Sequence, residues 1–155
     1  MLIRDAKITE GYEIEALVKL CAKDSEGMMI TPEETQGRIS KSTLSQLTYV
    51  KVVEFNKKII GVVMGTMGVT KATAHNMELA MCIHPDYRGV SLGSNLMSIF
   101  VNELSYFNLF ADVSESNSVI ISLLQGLNFK EVGRVPKGIK EKQGYKDKIT
   151  MFYYG

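Results

Sequence analysis

The run Ile83-His84-Pro85-Asp86-Tyr87-Arg88-Gly89-Val90-Ser91-Leu92-Gly93-Ser94 holds residue types that suit one kind of chemistry. A strand-like apolar stretch stops at Pro85, a glycine-bearing turn follows, and a helical pattern starts near Ser91. The first turn of a helix presents unpartnered main-chain N–H groups and about half a positive charge, so such a turn suits phosphate or pyrophosphate. Gly89 allows a tight turn, Gly93 keeps a Cβ out of the first helical turn, and Arg88 adds a formal positive charge. A plain strand-to-helix turn also uses glycines freely, so the residues alone leave both readings open. Neither a Walker-type lysine loop nor Gly-x-Gly-x-x-Gly occurs in the chain.

No Ser-His-Asp or Cys-His arrangement is legible. Cys21 and Cys82 are far apart and lack metal-ligand spacing, so they read as ordinary thiols of a reducing compartment, and no metal is expected. From residue 130 to 148 the chain carries Lys130, Arg134, Lys137, Lys140, Lys142, Lys146 and Lys148 against Glu131, Glu141 and Asp147, a net charge of +4. This stretch reads as a solvated loop between the last two strands, or as a basic loop that attracts an anionic substrate group. Of the nine methionines, Met28 and Met29 fall between the first two expected helices. They could line a pocket adaptably or simply fill core space.

The elements that must position these groups follow from hydrophobic period. Strands are expected at 2–6, 48–55, 58–65, 73–83, 107–113, 129–134 and 149–154, and helices at 9–24, 31–40, 91–106 and 117–125. Tyr12, Ile14, Ala16, Leu17, Leu20 and Cys21 form the stripe of the first helix; Leu92, Leu96, Ile99, Phe100 and Leu104 form that of the third. Thr31-Pro32-Glu33-Glu34 is a helix-start signal, and Asn56-Lys57 a hairpin turn. Hairpins come first and helical crossovers later, which implies a mixed α/β sheet with helices on its faces.

The 155 residues suit a single domain, 1–155, large enough to bury a core of its own. With 45% apolar and 23% charged residues, a disordered chain, a fibre and a disulfide-stapled mini-protein are excluded. A net charge of +1 provides no overall basic field for nucleic acid or a membrane surface. The longest apolar stretch, 59–67, is too short to span a bilayer, and the N-terminus turns polar at once. A cytoplasmic protein is expected.

Strand-Pro-x-Tyr-Arg-Gly-x-x-x-Gly-Ser-x-Leu-Met resembles the acyl-CoA pyrophosphate loop of the GNAT superfamily of N-acetyltransferases, whose pattern is Gln/Arg-x-x-Gly-x-Gly/Ala. Here that pattern falls on Arg88, Gly89, Val90, Ser91, Leu92 and Gly93. Asn117, with Leu123 and Phe129, resembles a second family segment, and 144–151 resembles the close of its amino-acid-acetylating branches. Three positions depart from the family pattern. Ser91 stands in place of a glycine, harmlessly if its backbone is helical and at a cost if it must be left-handed. Leu124 replaces the tyrosine that protonates the departing thiolate, and Asn128 replaces a glycine.

The resemblance implies a mostly antiparallel sheet of about seven strands, splayed at the signature strand, with helices on both faces. It implies acetyl-CoA or a short acyl-CoA as co-substrate and a primary amine of a small molecule as acceptor, acylated by direct attack. Glu78 matches a family base position, against the alternative of a solvated or ion-paired strand residue. His75 is a second candidate base, with a plain surface position as its alternative, and His84 reads as a turn residue. Main-chain N–H groups from Met81 to Ile83 would hold the pantetheine arm and polarise the carbonyl. The loop from Arg88 through Gly89, Val90, Ser91, Leu92 and Gly93 to Ser94 would hold pyrophosphate, and Asn117 the CoA arm. Tyr145 and Tyr153 are possible substitutes for the lost proton donor. The alternative to an enzyme is a non-catalytic acyl-CoA-binding sensor or regulatory module. No nucleic-acid or membrane partner is expected. A homodimer could pair the terminal strand, 151–154.

Overall fold

The structure is a computed structural model that describes residues 1–24, 29, 32–35, 47–89 and 91–155. Its elements are β1 (Leu2–Asp5), α1 (Gly11–Asp24), β2 (Thr48–Phe55), β3 (Lys58–Met67), β4 (Asn76–Ile83), α2 (Leu92–Leu104), β5 (Asn108–Ser114), α3 (Ser118–Gly126), β6 (Phe129–Glu141) and β7 (Gly144–Tyr153). The seven strands form one sheet in the order β1-β2-β3-β4-β5-β7-β6. Every neighbouring pair is antiparallel except β4 and β5, which are parallel. The mixed α/β class and the mostly antiparallel sheet are those expected from the sequence.

Alternation along the strands divides the core into two layers. Met77, Leu79 and Ile83 of β4 join Val63, Leu109 and Met151 under α2 and α3, where Leu96, Met97, Phe100 and Leu124 are buried. Val52, Ile59, Val62 and Cys82 point the opposite way and meet Ile14, Leu17, Val18 and Cys21 of α1. Each large side chain buried here is worth about 1.5–3 kcal/mol of transfer free energy, so both faces must be covered. The hairpin turn at Asn56 and Lys57 has φ of 50° and 62°. That left-handed pair matches the twist of the two strands it joins. At the far edge, Arg4 binds Glu10 and Glu54, joining β1 to β2 and to the turn before α1. Its guanidinium holds the Glu10 carboxyl down at about 2.

Several expectations need correction. The first helix begins at Gly11 after a 3₁₀ turn at Ile8–Glu10, and Tyr12 and Leu20 of the expected stripe face solvent. Ile99 is likewise exposed, while Met97 and Val101 take up the buried face of α2. The run 73–83 pairs only from Asn76, because Thr73 belongs to a turn closed by Asn76 N–H on Thr73 O. The largest difference is at the C-terminal end. The stretch read as a basic loop is the outer part of a long β6–β7 hairpin, paired from Phe129↔Tyr153 to Glu141↔Gly144 with two register shifts. Polar residues on both faces of an edge strand hide the period that marks a half-buried strand. Strand β7 bonds β5 on one side and β6 on the other, so it has no edge to offer a second copy. The expected helix at 31–40 falls largely outside the described residues; Glu33–Thr35 forms a single 3₁₀ turn.

Candidate active site

Strand β4 sets the site. His84 N–H donates to Ile60 O at 2.8 Å and Gly68 N–H to Asn76 O at 3.2 Å. By the alternation of an antiparallel ladder, Glu78, Ala80 and Cys82 therefore exchange their bonds with β3. Met77, Leu79, Met81 and Ile83 turn their N–H and C=O groups towards β5 instead. Yet β5 pairs with β4 only at Asn76↔Asn108, Met77↔Leu109 and Glu78↔Phe110. Beyond Glu78 the two strands part, and Met81 and Ile83 present main-chain groups to the opening. This is the splay expected from the resemblance.

Two cavities occupy the opening. One of about 400 Å³, within the usual range for ligand sites, brings together Met81, Ile83, Arg88, Gly89, Ser91, Leu92, Gly93, Ser94 and Asn117. Tyr87 of the turn and Val119, Ile120 and Leu123 of α3 complete its walls. Val90 lies outside the described residues. The second cavity, about 100 Å³, sits between the parted strands and is lined by Leu79, Ala80 and Met81 on one side and Ala111, Asp112 and Val113 on the other. Asn117 lines both cavities, while Leu124 and Met29 line the smaller one. Met28 lies outside the described residues.

The turn from β4 to α2 carries the residues expected to hold an anion. Pro85 opens a short 3₁₀ turn whose Asp86 N–H is capped by His84 Nδ1 at 3.1 Å, confirming His84 as a turn residue. Gly89 has φ of 83° and nothing within 4 Å of where a Cβ would stand. Ser91, immediately before α2, has φ of 62° and makes no side-chain cap bond. A Cβ on Gly93 would come within 3.1 Å of Met81 Cε, so the glycine lets α2 approach the strand at the cavity wall. Arg88 turns back: its Nε donates to Ile83 O at 3.0 Å, and its guanidinium forms an ion pair with Asp24 at the end of α1. Asn117 caps α3, accepting the Ile120 N–H on Oδ1 at 3.2 Å.

Glu78 stands on the α1 face at the last paired position before the opening. Its side chain reaches solvent, but the protein packed around it raises its pKa. The Asp112 carboxyl pushes the same way, and Lys148 works against both. His75 is exposed at the foot of β4, where its carbonyl accepts the Asn108 N–H, and it lines neither cavity. Cys82 is buried against Cys21; contact with that thiol and burial push its own thiol well up, as suits a packing residue rather than a nucleophile. Leu124 is fully buried, while Tyr145 is exposed on β7 and Tyr153 packs on Phe129. Neither tyrosine lines either cavity.

The sequence reading missed Asp112, Tyr87 and the α3 wall. Asp112 did leave a signal, as a lone acid in the otherwise apolar run 109–113.

A family model described as the Acetyltransferase (GNAT) family matches residues 15–129. Among curated proteins none matches significantly. Solved structures share the fold. The yncA protein of Salmonella typhimurium, solved with its cofactor acetyl-CoA, superposes with a TM-score of 0.86 at 20% identity, covering 98% of this chain and 92% of that one. A ribosomal-protein-alanine N-acetyltransferase from Brucella melitensis gives 0.83 at 18% identity, with 98% of each chain covered. A phosphinothricin acetyltransferase from Sinorhizobium meliloti, in complex with AcCoA, gives 0.83 at 19% identity, covering 97% of this chain and 86% of that one.

Proposed function

Because the chain belongs to the Acetyltransferase (GNAT) family, we infer that it transfers an acetyl or short acyl group from acetyl-CoA to a primary amine of a small molecule, by direct attack. The observation that carries this reading is the groove where β4 and β5 part, with a helix start and two glycines in its wall; Glu78, the last paired residue before the strands part, lines neither cavity. Two fold relatives are described with acetyl-CoA. The residues present fit that co-substrate: the groove is open where a Cβ on Gly93 would narrow it, and the first residues of α2, Leu92, Gly93 and Ser94, line it.

In this reading the turn from Gly89 to Ser94 takes the pyrophosphate through main-chain N–H groups. Arg88, engaged with Asp24 and Ile83 O, shapes that turn and adds its charge from the side. Asn117 borders the CoA arm. Acetyl-CoA supplies an activated acyl group on a thiolate leaving group. The N–H groups of Met81 and Ile83 polarise the acyl carbonyl, being fixed in place by the strand. Glu78 takes a proton from the ammonium, directly or through water. Its raised pKa gives the pH dependence a sign: as pH falls through that value the carboxyl protonates, can no longer accept, and turnover drops. A cytoplasmic setting, without nucleic-acid or membrane partners, accords with the small net charge of +1. No helix among the described residues is long and apolar enough to cross a membrane.

The test is multiple-turnover release of CoA thiol with a panel of primary amines. Release is expected, falling on the order of 10²-fold or more in Glu78→Gln. Equal turnover of Glu78→Gln and the parent across the pH range removes Glu78 from the mechanism. Acetyl-CoA binding without release to any amine favours the second reading, a sensor module. The buried Leu124 at the proton-donor position motivates that second reading.

A further inference from the structure

With leucine at position 124, the smaller cavity between β4 and β5 has no phenol among its described lining residues to protonate a departing thiolate, and the larger one has Tyr87 in its wall beside the turn. Among the residues lining the smaller cavity, the ionisable one is Asp112. It lies between Glu78 and that cavity. Glu78 pairs across the ladder with Phe110, so Asp112, two residues further along β5, is its diagonal neighbour on the same face. On its other side Asp112 borders the cavity together with Met81 and Leu124. Thr150 Oγ1 donates to Asp112 Oδ1 at 2.6 Å, which fixes the carboxyl from β7. The charged group facing the pair from β7 is Lys148, and β3 presents the uncharged Thr66 opposite Glu78.

We propose that Asp112 is a catalytic proton carrier, receiving from Glu78 a proton taken off the acceptor amine and delivering it to the leaving sulfur. This rests on the transferase reading above. The reaction breaks the C–S bond of an acyl thioester and forms a C–N bond. The ammonium nitrogen loses two protons. One passes through Glu78 and Asp112 to the sulfur, giving the thiol, and the other goes to solvent. No oxidation or reduction occurs.

The test compares single-turnover thiol release and acetyl-CoA binding in the parent, Asp112→Asn and Asp112→Glu. Carbon-13 NMR titration of the Glu78 carboxyl in the parent and Asp112→Asn accompanies it. Asp112→Asn should slow release about 10²-fold while leaving acetyl-CoA binding within about twofold, and Asp112→Glu should recover part of the rate. Removing the neighbouring carboxylate should also move the Glu78 titration to lower pH. An unchanged rate in Asp112→Asn, or a Glu78 titration that does not move, overturns the relay. Should Asp112→Asn fail to fold, Thr150→Val keeps both carboxyls and removes the bond that holds the Asp112 carboxyl in place. Slower single-turnover thiol release with acetyl-CoA binding unchanged then supports the relay, and an unchanged rate overturns it. Parent protein that releases no thiol sinks the transferase reading and the relay together, whereas release that survives Asp112→Asn sinks the relay alone.

Discussion

Ser91 starts α2 with φ of 62° and ψ of 13°, and its hydroxyl caps nothing. A left-handed backbone costs a residue with a Cβ roughly 1–2 kcal/mol, so this serine carries strain at the point where the turn meets the helix. The sequence offered two outcomes for this position, and the backbone is of the kind that favours glycine. Glycine would relieve the strain but add freedom to the unfolded chain, which offsets part of the gain. Ser91→Gly is therefore expected to stabilise by about 0.5 kcal/mol, a rise in Tm of ~1–2 °C by calorimetric scan. Acetyl-CoA should bind at least as tightly. A lower Tm would mean that the hydroxyl has a role the geometry does not reveal. Asn128 is also left-handed, at φ of 71°, but asparagine tolerates that region better than serine does.

At the scale of elements, the site depends on where β4 stops pairing and on what holds the turn beyond it. Three ladder positions join β4 to β5, and the gap after Glu78 leaves the main chain of β4 unpaired on that side. Arg88 fastens the turn to the end of α1 through Asp24, while Cys21 Sγ lies 3.4 Å from the same Ile83 carbonyl that Arg88 Nε binds. The ion pair is largely exposed, so its contribution to stability is under about 1 kcal/mol. Its removal should act on binding instead. Asp24→Ala leaves the guanidinium without its carboxylate, and acetyl-CoA affinity should rise a few-fold at low salt and lose that gain at high salt, with Tm nearly unchanged. Weaker binding at low salt would mean that the fastening, rather than the charge, is what the turn needs. The signature turn and the order of strands were legible because glycine, proline and hydrophobic period mark them directly. The β6–β7 hairpin was not, because Lys130, Lys137 and Lys140 give the edge strand β6 the composition of a loop.

In the whole molecule, helices cover both faces of a sheet whose centre is open on one line. That arrangement puts the start of α2 on one face and Glu78 and Asp112 on the α1 face, with one cavity lined by Gly93 and Ser94 and a smaller one lined by Asp112 where the strands part. Hydrophobic pattern revealed which strands are buried, but the proximity of Glu78 to Asp112 depends on a parallel register over three residues that no local pattern encodes. Ion pairing in the hairpin is of the same kind. Arg134 meets Glu131 and Asp147, both already counted in the +4 along 130–148, and Glu115, which folding brings in from outside that stretch. The measurement that bears most directly on the function is a calorimetric titration with acetyl-CoA of the parent chain and of Gly93→Val, with the fold of each checked by Tm. The parent should bind in the micromolar range usual for such substrates. A side chain at position 93, crowding Met81 at the groove wall, should abolish that binding. No binding by the parent, or equal binding by the folded variant, would contradict an acyl-CoA site in this groove.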